Sequence, residues 1–119
     1  MNEELEPNKV SQNKEALQLM AFEIISNAGE AFDYFYKAVE FAETKDFAAA
    51  TESLKHGNEA LNKAHKSQTG LLVAETNNDE LPYSILMVHA QDHLTMAIFA
   101  GRMAKLFINL WKEMDKKNG

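Results

Sequence analysis

Two histidines, a glutamine and an aspartate crowd into five residues of an otherwise apolar stretch, LMVHAQDHL, from Leu86 to Leu94. His89 and His93 stand four apart, so on a helix they share one face. Asp92 lies on the same stripe as His89, one turn further on. Ionisable groups on an apolar stripe are costly unless paired or used. Three chemistries suit such an island. A metal could sit between His89 and His93, but a helical zinc motif also needs a third protein ligand and a general-base Glu nearby. His89 with Asp92 could act in acid–base catalysis, which needs a substrate pocket. An imidazole nitrogen could also take a group covalently. The free side chain titrates near pH 6.5, so a neutral imidazole is a competent nucleophile near pH 7. A phosphoryl group asks chiefly for positioning and donors, which Gln91 and His93 can supply.

Composition narrows the field further. The chain has 119 residues, no cysteine and a formal charge of −6, with 18 acidic against 12 basic side chains. Without cysteine there is no disulfide scaffold, thiolate metal site, Fe–S cluster or Cys nucleophile. An acidic chain lacks the basic face that nucleic acid requires. Met1 to Lys14 has no apolar signal core, and no purely apolar run, Ile85 to Val88 included, comes near the length needed to span a membrane. A cytoplasmic chain is expected.

The elements that must hold the island are long helices. Leu17, Ala21, Ile24, Ala28, Ala31, Phe35, Ala38 and Ala42 recur at alternating steps of four and three. Thr44-Lys45-Asp46 breaks this pattern, with Asp46 placed to cap a second helix. Phe47, Ala50, Leu54, Gly57, Leu61, Ala64, Gln68 and Leu71 form the stripe of that helix. ETNNDE, Glu75 to Glu80, is the second break. Pro82 suits the first turn of a third helix. The expectation is all-α: a disordered tail over 1–13, one domain over 14–116 with helices about 14–44, 46–74 and 82–116, and a tail over 117–119. Three helices of roughly 30 residues are about 45 Å long each. Short connections predict an antiparallel, up-down-up bundle. The phenylalanines Phe22, Phe32, Phe35, Phe41 and Phe47 are expected in its core, Met87, Met96 and Met103 in gaps between helices, and His56 on the surface. The main stripe of helix three is Ile85, His89, Asp92, Met96, Phe99, Met103, Leu106 and Leu110, and a neighbouring stripe of Leu86, Ala90, His93, Ala97, Ala100, Ala104, Phe107 and Trp111 carries the second histidine; the main stripe is the seam. This heptad-like seam is built to pack against partner helices.

The block LPYSILMVHAQDHLTMA, Leu81 to Ala97, resembles the signature of enzyme IIA of the lactose/cellobiose (chitobiose) phosphotransferase system. KDFAAA (Lys45 to Ala50), AHKSQTGL (Ala64 to Leu71) and FEIISNAGEA (Phe22 to Ala31) agree with it, and the similarity covers about Glu15 to Lys116. Thr95-Met96 departs, standing where the family usually has Met-Thr. The resemblance implies a three-helix bundle that assembles as a parallel homotrimer. It implies a phosphohistidine at His89, on Nε2. The group would arrive from the histidine phosphocarrier protein and leave to a cysteine of the IIB component, which serves the membrane IIC component in β-disaccharide uptake. It also implies that Asp92, one per subunit, holds a shared divalent ion described as Mg²⁺ on the trimer axis.

Other residues of the matching segments have plainer readings. His65 and Gln68 are expected to line the bundle near the second loop or to help orient the phosphohistidine. Tyr83 and Ser84 could donate to a phosphate at the start of helix three. Two other functions compete with the carrier: a non-catalytic helical interaction module whose polar island sets register, and a two-component histidine phosphotransfer domain. The sequence leaves the imported disaccharide open among lactose, cellobiose and chitobiose.

Overall fold

The computed structural model describes residues 14–77 and 84–118. Three helices account for nearly all of them: α1 (Lys14–Glu43), α2 (Phe47–Thr76) and α3 (Ile85–Asn118). There is no strand among the described residues. The expected tail over 1–13, Pro82 and Tyr83 lie outside them. α2 runs two residues past the expected end. α3 continues through Lys117 and Asn118, so the expected C-terminal tail is mostly helix. Lys116 and Lys117 stand in that last turn and oppose the negative helix pole.

The stripe expected of α1 is its buried face without exception: Leu17, Ala21, Ile24, Ala28, Ala31, Phe35, Ala38 and Ala42. Small side chains let α2 and α3 approach α1 closely. Ala50, Ala60, Ala64, Ala90, Ala97 and Ala104 are buried opposite it. Phe35 is the large side chain at the centre, 1% exposed. The expectation for the other aromatics fails: Phe22, Phe32 and Phe41 are exposed and Phe47 is half-buried. Phe22 and Phe32 fall outside the 3/4 stripe, and an alanine-lined interface has no room for a second large ring. His56 lies at the surface as expected, its side chain 44% exposed, with Nε2 3.3 Å from Glu52, Nδ1 3.5 Å from Glu59 and its ring 5.3 Å from that of Tyr34.

The α1–α2 turn is a Schellman motif. Asp46 N–H donates to Phe41 C=O at 2.9 Å and Lys45 N–H to Ala42 C=O at 3.0 Å, with Lys45 at a φ of 67°. Asp46 then caps α2 as expected, its Oδ1 accepting from Ala49 N–H at 3.1 Å. Asp46→Ala is expected to cost about 1 kcal/mol in urea unfolding, with no change in the slope of the transition. Ser53, the buried polar residue of α2, donates its hydroxyl proton to Tyr34 C=O at 2.7 Å.

Contacts at both ends tie the helices together. Leu17, Leu71 and Met87 line one hollow. At the other end Lys45 reaches Asp115 at 3.3 Å. None of the helices described is long and apolar enough to cross a membrane.

Candidate functional site

α3 starts at a serine cap. Ser84 Oγ accepts from Met87 N–H at 3.3 Å, and its C=O accepts from Val88 N–H at 3.1 Å. Capping uses a lone pair of the Ser84 hydroxyl and leaves its proton free to donate, at the helix start, a turn away from the histidines. The cap also fixes where the helix begins, and so the position of His89 one turn in.

The structure brings His89 and His93 together. Their Nε2 atoms are 3.1 Å apart, and the rings meet edge to face with centroids 4.5 Å apart. His89 is exposed and His93 half-buried. At 3.1 Å one Nε2 carries a proton and the other offers its lone pair. One imidazole is therefore positioned as a donor to the ring nitrogen of the other. Asp92 is exposed on the outward side of α3.

Gln91 does not join them. Two residues along a helix is a turn of about 200°, which carries Gln91 to the α2 side. There its amide donates to Met87 Sδ at 3.7 Å, a weak contact. It lines a hollow of about 170 Å³ with Leu17, Gln68, Leu71, Met87 and Ser84. Gln68 Oε1 is buried there without a hydrogen-bond partner among the described residues. So Gln68 lines the bundle next to Gln91, away from the histidine pair. His65 is exposed on α2 and is not part of that hollow.

The seam of α3 faces outward. Met96, Phe99, Leu106 and Leu110 are 53 to 62% exposed, and Met103 is half-buried. The helix instead buries Ala90, Leu94, Ala97, Ala104 and Ile108 within the chain. Met96 belongs to this outward seam and also borders the gap between α1 and α3. No group of three His, Cys, Asp or Glu side chains converges on a metal position among the described residues. One Asp92 carboxylate alone is too few ligands for a hard cation.

One neighbour of the pair lies outside the sequence reading. Ile25, Gly29, Glu30, Phe32 and Asp33 of α1 line a hollow of about 420 Å³ with His93 and Met96. The signal was present: Phe22, Ile25, Gly29, Phe32 and Tyr36 repeat at steps of three and four, beside the core stripe.

Comparison with known proteins agrees across most of the chain. Residues 19–112 match the family model described as the lactose/cellobiose specific IIA subunit of the PTS system. The chain is 38% identical over 100 residues to the PTS system lactose-specific EIIA component of Staphylococcus aureus (strain N315), covering 84% of this chain and 97% of that one. It is 39% identical over 104 residues to the lactose-specific EIIA component of Lactococcus lactis subsp. lactis, covering 87% and 99%. Its fold is similar to the crystal structure of the PTS cellobiose specific enzyme IIA from Bacillus anthracis, with a TM-score of 0.82 at 32% identity over 98% of this chain and 99% of that one.

Proposed function

This chain belongs to the lactose/cellobiose-specific IIA family of the phosphotransferase system, and we propose that it is the phosphoryl carrier between the histidine phosphocarrier protein and a IIB component, working in the cytoplasm. The observation that carries this reading is the 3.1 Å approach of the His89 and His93 Nε2 atoms. His89 is the exposed member, open to two successive protein partners, and is the nucleophile. Its Nε2 lone pair attacks the phosphorus of the donor's phosphohistidine. A P–N bond forms as the donor's P–N bond breaks, and the electron pair stays on the donor imidazole. In the second step a IIB cysteine thiolate attacks the phosphorus, a P–S bond forms, and His89 recovers its lone pair.

His93 is the positioning residue. Its Nε2–H holds the His89 lone pair in the resting state, and fixes the tautomer of both rings. Once His89 carries the phosphoryl group that lone pair is gone, and the same N–H turns to a phosphoryl oxygen. A donor already aimed at the site needs little reorganisation. Gln91, on the other side of α3, has no part in this step. β-Disaccharides are the substrates of the whole relay.

The assembly we propose is a parallel homotrimer of up-down-up bundles. The contacts at the two ends of the bundle support the course of each chain. The outward seam supports the trimer, because exposed apolar stripes of this length mark interfaces. Three Asp92 carboxylates on a threefold axis then form a donor set of the kind that suits Mg²⁺, with waters completing the shell. A bound divalent ion there supplies neutralising charge, without which three crowded carboxylates repel. Asp92→Leu removes that repulsion and extends the seam. It is expected to sediment as a trimer with or without chelator, whereas the native trimer loosens in chelator. A monomeric Asp92→Leu chain overturns the axial assignment.

The phosphoryl-carrier reading is tested with phosphoenolpyruvate, enzyme I and the histidine phosphocarrier protein. Acid-labile, base-stable label on the native chain is the expected result. A two-component phosphotransfer domain takes label only from a kinase or response regulator, and an interaction module takes none.

A further inference from the structure

The 3.1 Å between the Nε2 atoms of His89 and His93 suits more than a hydrogen bond. Two nitrogens bound to a Zn²⁺ ion at about 2.0–2.1 Å stand about 3.3 Å apart at a tetrahedral angle and about 2.9 Å apart at a right angle. The pair falls between these values. Both residues belong to the unbroken helix α3, and their spacing of four is what makes the rings converge. Among the described residues His56 is the contrasting case, because its two ring nitrogens face two different carboxylates, Glu52 and Glu59.

The surroundings favour a cation. Glu30 and Asp33 line the hollow that His93 borders, and a cleft of one charge sign concentrates ions of the other. His89 is exposed, so an ion has a way in.

We propose that His89 and His93 together chelate a divalent transition-metal ion of the Zn²⁺ type through their two Nε2 atoms, and that the bound ion keeps the chain out of phosphoryl transfer. Imidazole nitrogens suit Zn²⁺, Cu²⁺ and Ni²⁺, whereas Mg²⁺ takes oxygen ligands. The site is therefore separate in its chemistry from a carboxylate site at Asp92. No third His, Cys, Asp or Glu side chain converges with the pair among the described residues, so water fills the remaining positions and the ion is held reversibly. The proton that one Nε2 carries in the resting pair passes to Nδ1 of its own ring. Both rings stay neutral, and both Nε2 lone pairs go to the ion. On His89 that is the lone pair that attacks phosphorus. Ion and phosphoryl group exclude each other there, and by linkage phosphorylation expels the ion. The binding site stands on geometry alone, while the block rests on the phosphoryl-carrier reading.

Calorimetric titration of the full chain with zinc chloride, in buffer holding excess Mg²⁺, tests the site. A single Zn²⁺ per chain is expected. Its affinity is expected to fall by at least roughly 100-fold in His89→Ala and in His93→Ala, more than the loss of an outer-shell partner. Asp92→Leu and His56→Ala are expected to bind as the native chain does. The Nε2 ¹⁵N resonances of both rings shift together during the titration. In the transfer assay Zn²⁺ slows label uptake by the native chain and a chelator restores it. The slow uptake of His93→Ala is indifferent to Zn²⁺, which separates an effect on this chain from one on its donors. Absence of zinc binding, binding undiminished in both histidine variants, or binding lost in Asp92→Leu overturns the site and leaves the carrier reading in place. Zinc on the pair with label arriving at the native rate overturns the block and the His89 nucleophile, and the site stands. A native chain that takes no label in the absence of zinc overturns the carrier reading alone.

Discussion

His89→Ala takes up no label from the phosphocarrier protein, whereas His93→Ala takes it up roughly 10²-fold more slowly, the usual loss for one preorganised donor. The difference follows from which atoms each ring contributes. His89 provides the lone pair that becomes the P–N bond, and nothing nearby replaces it. His93 provides a hydrogen bond, 3.1 Å away in the resting pair. His93→Gln keeps an N–H at a similar reach and is expected to recover part of the rate. A purely structural role for His93 predicts no such rescue. Neither ring belongs to the buried face of α3, so circular dichroism of all three variants stays native. Full label on His89→Ala overturns the assignment of the nucleophile. Gln91→Ala is the contrasting case, and its uptake stays near native because the residue faces α2.

The largest loss of stability is expected at Phe35. The ring is 1% exposed and lies between two glycines of different helices. A Cβ on Gly57 would stand 2.5 Å from Phe35 Cε1, and one on Gly101 2.9 Å from Phe35 Cε2. Both are closer than real Cβ atoms approach a ring. Phe35→Ala leaves a cavity where all three helices meet, and is expected to cost about 3–5 kcal/mol. That is much of the total stability of a domain this size. Gly57→Ala overpacks the same spot and costs about 1–3 kcal/mol. Combined with Phe35→Leu, which withdraws the ring edge, Gly57→Ala is expected to cost less than the sum of the two singles. Urea unfolding of the four chains closes the cycle, and additive costs would show that the glycine does not serve the ring.

Much of this was legible along the chain, for reasons that differ by element. The α1 core stripe could be read in full because a long helix with one buried face must repeat apolar residues every 3.6 positions. Asp46 could be read as a cap because an aspartate after a turn has few other roles. The histidine island stood out because ionisable groups are costly on an apolar stripe. The phenylalanines misled because hydrophobicity tells how much a side chain gains by burial, not which neighbour buries it. The 3/4 spacing already held Phe35 in the core stripe and left Phe22 and Phe32 outside it, so position told apart what hydrophobicity could not.

Residue types and their periodicity therefore determined that the chain is helical, where its core stripe runs, and that the candidate chemistry gathers around His89 and His93. Tertiary structure alone decided the rest. Helix periodicity already turns Gln91 about 200° from His89, and packing decided that the face it reaches is the one towards α2. Packing also turned the seam of Met96, Phe99, Leu106 and Leu110 outward, and it set Gly29 of α1 beside His93 of α3. These are relations between faces of different helices. A one-dimensional pattern specifies that a face is apolar, and the partner of that face is selected only when the helices pack.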